Sequence, residues 1–113
     1  MKDIEEIKKY DISYYAGTDD EDLPYRAIIG LRRKDNSIIG IVYFHREADN
    51  IQCIAQRSVE GHILVHFPAI HYQQVLDLLR NEKPVYLRYV EGTMPYASIN
   101  TAMEIVGDGE SSQ

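Results

Sequence analysis

The chain has 113 residues, of which 44% are hydrophobic, and its 12 basic and 18 acidic residues give a formal net charge of −6. This length fits one domain, and the apolar content is enough for a packed core and excludes a globally disordered chain. The negative charge disfavours nucleic acid and anionic membranes as partners of the surface as a whole.

The N-terminal half is predicted to consist of β-strands joined by loops and turns. Residues 10–16 alternate between apolar and polar side chains, which is typical of a half-exposed strand. Residues 17–24 combine turn formers with four carboxylates, so we expect a solvated loop. Residues 25–34 and 38–46 are rich in Ile, Val, Tyr and Phe and flank the turn-forming residues 35–37, which predicts a hairpin.

The predicted hairpin carries apolar side chains on both of its faces. The two sets are Ala27, Ile29 and Leu31 against Ile28 on the first strand, and Ile39, Ile41 and Tyr43 against Val42 and Phe44 on the second. A sheet with only one buried face would not need both sets. Either the sheet curls into a barrel with its helix outside, or a second subunit covers the other face.

Two glycines lie inside the strands of this hairpin, Gly30 in the first and Gly40 in the second. Glycine in a strand often marks a bend, a bulge or the close approach of another backbone. A turn centred on Asn36 and Ser37 would place Gly30 opposite Tyr43, whose ring could cover it. A turn centred one residue earlier breaks this pairing, so the sequence leaves the register open.

The next part of the chain predicts two further strands and then a helix. The strands are residues 51–57 and 62–67. From Ala69 the apolar residues follow a helical period, at i, i+3, i+4 and i+7, through Tyr72, Val75, Leu76 and Leu79. The helix is expected to end near Asn81, because Pro84 prevents its continuation.

The C-terminal part predicts a final hairpin of residues 85–90 and 96–106, followed by a flexible tail at residues 107–113 that has no apolar anchor. The order of elements shows no alternation of strands with helices, so all neighbouring strands are compatible with antiparallel pairing. The sequence therefore predicts a single α+β domain over residues 1–106. Its sheet is expected to be an antiparallel meander or a small β-barrel of about six to seven strands, with one helix before the C-terminal hairpin.

Few residue patterns point to catalysis or to metal binding. His62 and His66 share a strand face but lie roughly 13 Å apart, too far for one ion. Cys53 lies among apolar neighbours, where cysteine is more often a small core residue than a nucleophile. The acidic residues 19–22 lack the ligand spacing of a calcium loop. The sequence contains no recognisable phosphate-binding or nucleophile motif, so we expect no catalytic residue, no metal and no cofactor.

Tyrosine and arginine side chains are frequent along the central hairpin, and both residue types are enriched at protein interfaces. We expect an interaction surface made of Tyr25, Arg26, Arg32, Arg33, Lys34, Tyr43 and Arg46. Its expected partner is a second copy of the chain, with another protein as an alternative. The same residue types could hold single-stranded nucleic acid, although the net charge of −6 makes nucleic acid an unfavourable partner.

The last elements follow one another as a strand at residues 61–67, a helix ending at residues 79–82, and strands at residues 85–90 and 97–106. This order resembles the strand, helix and hairpin of flavin-binding split barrels of the pyridoxamine-oxidase type, over less than half of the chain. The resemblance implies a flavin or small ligand between the helix and the sheet. In that family, basic and hydroxyl side chains near the helix hold the flavin phosphate, whereas the helix here begins His-Tyr-Gln-Gln and has no lysine.

These observations lead us to expect a small, non-catalytic binding protein that forms a homodimer through its sheet. The alternatives are a flavin- or small-ligand-binding protein similar to the split barrels, and a single-stranded nucleic-acid-binding protein. The single cysteine, an N-terminus without an apolar leader, and the lack of any apolar run near the roughly 20 residues of a membrane span lead us to expect a cytoplasmic location.

Overall fold

The computed structural model describes residues 2–17, 23–51 and 54–102. Within these ranges the chain forms eight strands and one α-helix, with short 3-10 helices at Ala48–Asn50 and Ala69–His71. In chain order the elements are β1 (Lys2–Ile7), β2 (Lys9–Tyr14), β3 (Tyr25–Arg32), β4 (Ile38–His45), β5 (Ala55–Arg57), β6 (Ile63–Pro68), α1 (Tyr72–Asn81), β7 (Val85–Val90) and β8 (Tyr96–Thr101).

The strands form two sheets, and the predicted α+β class with one helix before the C-terminal strands is confirmed. The larger sheet has the strand order β2-β3-β4-β6-β5, and the smaller sheet has the order β1-β7-β8. Of the two predicted arrangements, the barrel is wrong, because neither sheet closes on itself in the described part of the chain. The chain passes from one sheet to the other at Lys8, whose backbone N–H donates to Arg32 O at 3.0 Å.

The prediction that all neighbouring strands are antiparallel is wrong for β4 and β6, which pair in parallel. The chain leaves β4, forms β5 at the edge of the sheet, and returns so that β6 lies between β4 and β5. The reason lies in the two strands themselves. β5 has only three residues, two of them exposed, and suits an edge, whereas the longer β6 buries Ile63 and Val65 in the core. Within the predicted strand at residues 51–57, Ala55–Arg57 form β5, the described residues 51 and 54 are not in a strand, and residues 52 and 53 lie outside the described residues.

The predicted hairpin of β3 and β4 is confirmed, and its turn fixes the register. Asn36 has a φ of 76°, in the left-handed region, and its backbone N–H donates to Arg33 O at 3.0 Å. In this register Gly30 lies opposite Ile41, and Tyr43 lies opposite Ile28. Tyr43 therefore does not cover Gly30. The turn centred on Asn36 and Ser37 would have placed these two residues opposite each other, and this pairing does not form.

The core lies between one face of the larger sheet and the elements packed on it. Along β3, the side chains of Ala27, Ile29 and Leu31 are fully buried and alternate with half-buried ones. Residues of α1 and β7 pack against them in the same cluster, namely Val75, Leu79, Val85, Leu87 and Tyr89. The helical period predicted from Ala69 onwards is confirmed, because its apolar stripe is the buried side of α1.

The ends of the chain differ from the prediction in one respect. The sequence pattern did not predict β1, which is an edge strand of the smaller sheet and pairs antiparallel with β7. The last residues of the predicted final strand, 103–106, and the predicted tail at 107–113 lie outside the described residues, as do most of the acidic loop and Cys53. No helix in the described ranges is long and apolar enough to cross a membrane.

Candidate binding surface

The larger sheet has one face on which neither α1 nor the smaller sheet packs, and we call it the helix-free face. Side chains alternate along a strand, so the residues between the buried positions point to this face. Its centre is formed by adjacent, half-buried side chains: Ile28 on β3, Ile41 and Tyr43 on β4, and Leu64 and His66 on β6. The hairpin thus has apolar side chains on both faces, as predicted, and one of these faces stays partly exposed.

At one end of the helix-free face, two histidines and two tyrosines form a cluster. His45 Nε2 and His66 Nδ1 lie 2.8 Å apart and are hydrogen bonded. The His66 ring stacks on Tyr43 with centroids 5.1 Å apart, and the His45 ring meets Tyr25 edge to face at 5.0 Å. The centroids of the Tyr25 and Tyr43 rings are 4.8 Å apart and those of the two histidine rings 5.0 Å apart, so each of the four rings contacts two of the others.

Strand pairing alone explains how these four residues meet. Tyr43 and His45 are two residues apart on β4, and a period of two places both side chains on the same face. On one side of β4, Tyr25 of β3 lies opposite His45. On the other side, His66 of β6 lies opposite Tyr43. The cluster therefore needs β6 beside β4, which is the parallel pairing that the sequence pattern did not predict.

The environment of His45 constrains the protons of the pair. His45 is only 7% exposed, and its Nδ1 atom is buried without a hydrogen-bond partner. If His45 Nε2–H donates to His66 Nδ1, His45 Nδ1 is a buried acceptor without a donor. If His66 Nδ1–H donates instead, His45 Nδ1 is a buried donor without an acceptor. Each tautomer therefore leaves this atom unsatisfied, at a cost of about 1–3 kcal/mol.

The surroundings keep both imidazoles uncharged at neutral pH. Burial lowers the pKa of His45 below its ordinary value of 6.5. Burial also lowers the pKa of His66, and the neighbouring His45 lowers it further. Burial raises the pKa of Tyr43, with a smaller contribution from Tyr25, so that this phenol is neutral as well. The cluster is thus an uncharged, aromatic end of an apolar face.

The structure brings together only some of the residues predicted to form an interaction surface. Tyr25, Arg26, Tyr43 and Arg46 lie at the end of the hairpin that carries the histidines. Residues 32–34 lie at the opposite end, roughly 23 Å away at about 3.3 Å per strand residue. The seven predicted residues are therefore two groups at the two ends of one sheet.

The arginines near the cluster bind backbone oxygens of the chain itself. Arg26 Nη1 donates to Tyr15 O at 2.9 Å and to Gly17 O at 3.3 Å. Arg46 Nε donates to Tyr25 O at 3.1 Å. These contacts connect β3 to the segment after β2 and to the end of β4. They also place two cations beside the aromatic cluster.

The arginines at the other end of the hairpin bind carboxylates of neighbouring strands. Arg32 Nε lies 3.1 Å from Asp11 Oδ1 on β2. Arg33 forms an ion pair with Glu5 on β1, in which Nη2 donates to Oε1 at 2.9 Å, and it also donates to Ser37 Oγ at 3.2 Å. Much of the positive charge predicted for the hairpin tip is therefore neutralised within the chain.

A groove lies between α1 and the edge strand β8, on the opposite side of the larger sheet from the helix-free face. Its volume is about 340 Å³, and its lining is mainly apolar: Phe67, Val75, Leu78, Ala97 and Ile99. His71, Gln74 and Ser98 add polar groups. This volume is at the lower end of the range of small-ligand sites. The described lining contains no lysine or arginine that would hold a phosphate.

Within the described residues, no three His, Cys, Asp or Glu side chains are grouped so that they could hold a metal ion. Two of the three groups that the sequence analysis weighed for chemistry, Cys53 and the acidic residues 19–22, lie outside the described residues, and the third consists of His62 and His66. The paired histidines were not predicted, because their only sequence signal is the alternation of Tyr43 and His45. No family model, curated protein or solved structure matches the chain.

Proposed function

We propose that the protein is a non-catalytic binding protein and that its helix-free face pairs with the same face of a second copy. The observation that carries this proposal is the group of five half-buried apolar and aromatic side chains on three adjacent strands, on the face away from the helix. Contiguous apolar surface on a small domain is typical of an interaction site. Tyrosine within such a patch is typical of interface centres.

The charges of the face fit a second copy of the chain as the partner. A two-fold pair brings the same surface of each subunit together, so the surface must tolerate itself. The centre of the helix-free face is uncharged, and pairing it with itself brings no like charges into contact. Charged side chains lie at its two ends, with the Asp11–Arg32 ion pair at one and Arg26 and Arg46 at the other. Such an apolar centre with a polar rim is the usual composition of an interface.

Sedimentation velocity at tens of micromolar tests this proposal. We expect the wild-type chain to sediment as a dimer and Ile41→Lys, in the centre of the face, to sediment as a monomer. Ile54→Lys provides a second variant: Ile54 is 62% exposed, and its carbonyl accepts from the His66 backbone N–H at 2.9 Å, beside the cluster. Ile70→Lys is the matched control, because Ile70 is 80% exposed and precedes α1 on the other side of the sheet.

The outcome depends on the contrast between the variants. Dissociation by Ile41→Lys and Ile54→Lys, with a dimer retained in Ile70→Lys, supports the proposal. A monomeric wild-type chain would contradict it, as would equal effects of Ile54→Lys and Ile70→Lys. Melting temperatures show whether Ile41→Lys is still folded, and Ile54→Lys decides the question if it is not.

We place this function in the cytoplasm. The sequence has a single cysteine, Cys53, so that no disulfide can form within it, and this suits a reducing compartment. Fractionation of cells that produce the tagged chain tests the location. Recovery with the cytoplasmic contents supports it, and recovery outside the cell contradicts it.

A second candidate, small-ligand binding, is favoured by the groove between α1 and β8. Its apolar lining and its few polar groups fit an uncharged or weakly polar ligand. Riboflavin, a flavin without a phosphate, is a suitable probe because of the resemblance to split barrels. A rise in melting temperature with riboflavin that is lost in Leu78→Lys supports the candidate, and an unchanged melting temperature removes flavin as the ligand.

Nucleic acid fits the observed charges less well than a second copy does. Arg32 and Arg33 form ion pairs with Asp11 and Glu5, and the chain as a whole carries a charge of −6. Binding of a single-stranded oligonucleotide at low salt, weakening as salt rises, would favour this alternative.

A further inference from the structure

An additional proton on the His45–His66 pair is costly in the folded chain. The hydrogen bond between His45 Nε2 and His66 Nδ1 needs one of these two atoms to be without a proton. A protonated pair that keeps this bond must therefore carry a proton on His45 Nδ1, which is buried without a partner. A protonated pair that leaves His45 Nδ1 bare loses the hydrogen bond, so both arrangements are unfavourable.

The groups around the pair offer little compensation for a positive charge. Among the described residues, the ring contacts of the two histidines with other titratable side chains are those with the phenol rings of Tyr25 and Tyr43. Arg46 follows His45 on the chain, and its guanidinium binds Tyr25 O nearby. The carboxylates of the adjoining connection, Glu47 and Asp49, are exposed. In the described part of the chain, no carboxylate forms a hydrogen bond or an ion pair with either histidine.

We propose that proton uptake by the His45–His66 pair releases the partner from the helix-free face, so that the two copies pair at neutral pH and separate in mild acid. This inference rests on the proposed function, since it concerns the regulation of the same surface. A second copy that covers the face excludes water from the half-buried His66 ring. The protonated pair is therefore disfavoured more in the dimer than in the free chain.

Linkage gives the sign and the size of the effect. If each subunit takes up one proton when the dimer separates, the dissociation constant rises about 100-fold for each pH unit of acidification. The overall charge of the chain acts in the opposite direction. As the pH falls, the net charge of −6 moves towards zero and the repulsion between copies weakens. Weaker association at lower pH would therefore be due to the histidine pair, because the change in net charge has the opposite effect.

The test compares the wild-type chain with the double variant H45Q/H66N by sedimentation at about pH 7.5 and about pH 5.5. The amides introduced by H45Q and H66N each carry a donor and an acceptor and can replace the hydrogen bond between His45 Nε2 and His66 Nδ1, but neither group titrates. His62→Gln is the matched control, because His62 is half-buried and immediately precedes β6 but is not part of the pair. Far-UV circular dichroism verifies that each chain is folded at both pH values.

We expect the wild-type chain and His62→Gln to dissociate at the lower pH and H45Q/H66N to remain dimeric at both. A wild-type chain that is equally dimeric at both pH values overturns the inference and leaves the proposed function intact. Dissociation of H45Q/H66N in acid to the same extent as the wild-type chain also overturns it. A wild-type chain that is monomeric at both pH values contradicts the proposed function itself, and the inference fails with it.

Discussion

Gly40→Ala is expected to destabilise the chain and Gly30→Ala to leave its stability nearly unchanged, although both glycines lie in the same hairpin. A Cβ atom at Gly40 would lie 2.6 Å from Ile63 O and 2.8 Å from Leu87 Cδ2. Ile63 O is a backbone atom of β6, held by the pairing of β6 with β4, and Leu87 is fully buried. Neither atom can move aside without disturbing the core.

A Cβ atom at Gly30 would also come close to an atom, but to one that can move. The nearest atom is Asp11 Oδ1 at 2.5 Å, the end of a side chain that is 63% exposed. Rotation of this carboxylate costs its ion pair with Arg32, and an exposed pair contributes only about 0–1 kcal/mol. The narrower unfolded ensemble of alanine offsets this loss by about 0.4–1 kcal/mol.

The free energy of unfolding should therefore separate the two variants. Overpacking at Gly40 costs about 1–3 kcal/mol, and after the gain from the unfolded state Gly40→Ala should lose about 1–2 kcal/mol. In a domain of this size that loss lowers the melting temperature by about 4–8 °C. Gly30→Ala should stay within about 0.5 kcal/mol of the wild-type chain.

Urea denaturation followed by tyrosine fluorescence measures both values, because the chain has nine tyrosines and no tryptophan. The measurement should be made below the concentration at which the chain associates, so that only unfolding is observed. Equal effects of Gly40→Ala and Gly30→Ala would refute the reasoning, since they would show that β6 and Leu87 do not approach β4 as closely as described.

Asn36→Ala is expected to lower stability by about 1 kcal/mol and Asn36→Gly to leave it unchanged or raise it, because the residue has a φ of 76°; equal melting temperatures would contradict the assigned turn. Leu87→Ala, at a fully buried position, should cost about 2–5 kcal/mol in urea denaturation. Met94→Ala, at a position 86% exposed, should cost less than about 0.5 kcal/mol, and a similar loss in both would argue against this core. Burial lowers the pKa of His45 and His66 in the folded chain, so the unfolded chain binds more protons once the pH falls below its own pKa of about 6.5. The free energy of unfolding therefore decreases below this pH, by up to about 1.4 kcal/mol per pH unit for each proton. Monomeric wild-type chain should therefore lose more stability in acid than H45Q/H66N, and parallel pH profiles would contradict this.

The elements that the sequence predicted well are those whose signal is local. The hairpin at residues 25–34 and 38–46 followed from two β-rich runs around a short turn, and it forms between Tyr25–Arg32 and Ile38–His45. The helix followed from a period that begins at Ala69, and it ends at Asn81 as predicted. In both cases the residues that form the element are close together in the sequence, within one hairpin or one helix.

The first strand was missed because its composition does not look like that of a buried strand. Residues 2–7 contain four charged side chains and two isoleucines, of which Ile7 is buried and Ile4 is 58% exposed. Charge is common on edge strands, where it discourages pairing with other chains. The strand is stabilised by contacts far along the chain, including the ion pair between Glu5 and Arg33, and these contacts are not visible in its own sequence.

The same distinction explains which part of the candidate surface could be predicted. Tyr25 and Tyr43 were identified by residue type, and their contact needs only the local hairpin. His66 reaches Tyr43 and His45 because β6 inserts in parallel beside β4, whereas an antiparallel meander would have put β5 in that place. A shift of β6 by one residue would turn His66 towards the core and bring Phe67 to the helix-free face. The non-local pairing that completes the core is therefore also the pairing that assembles the histidine pair.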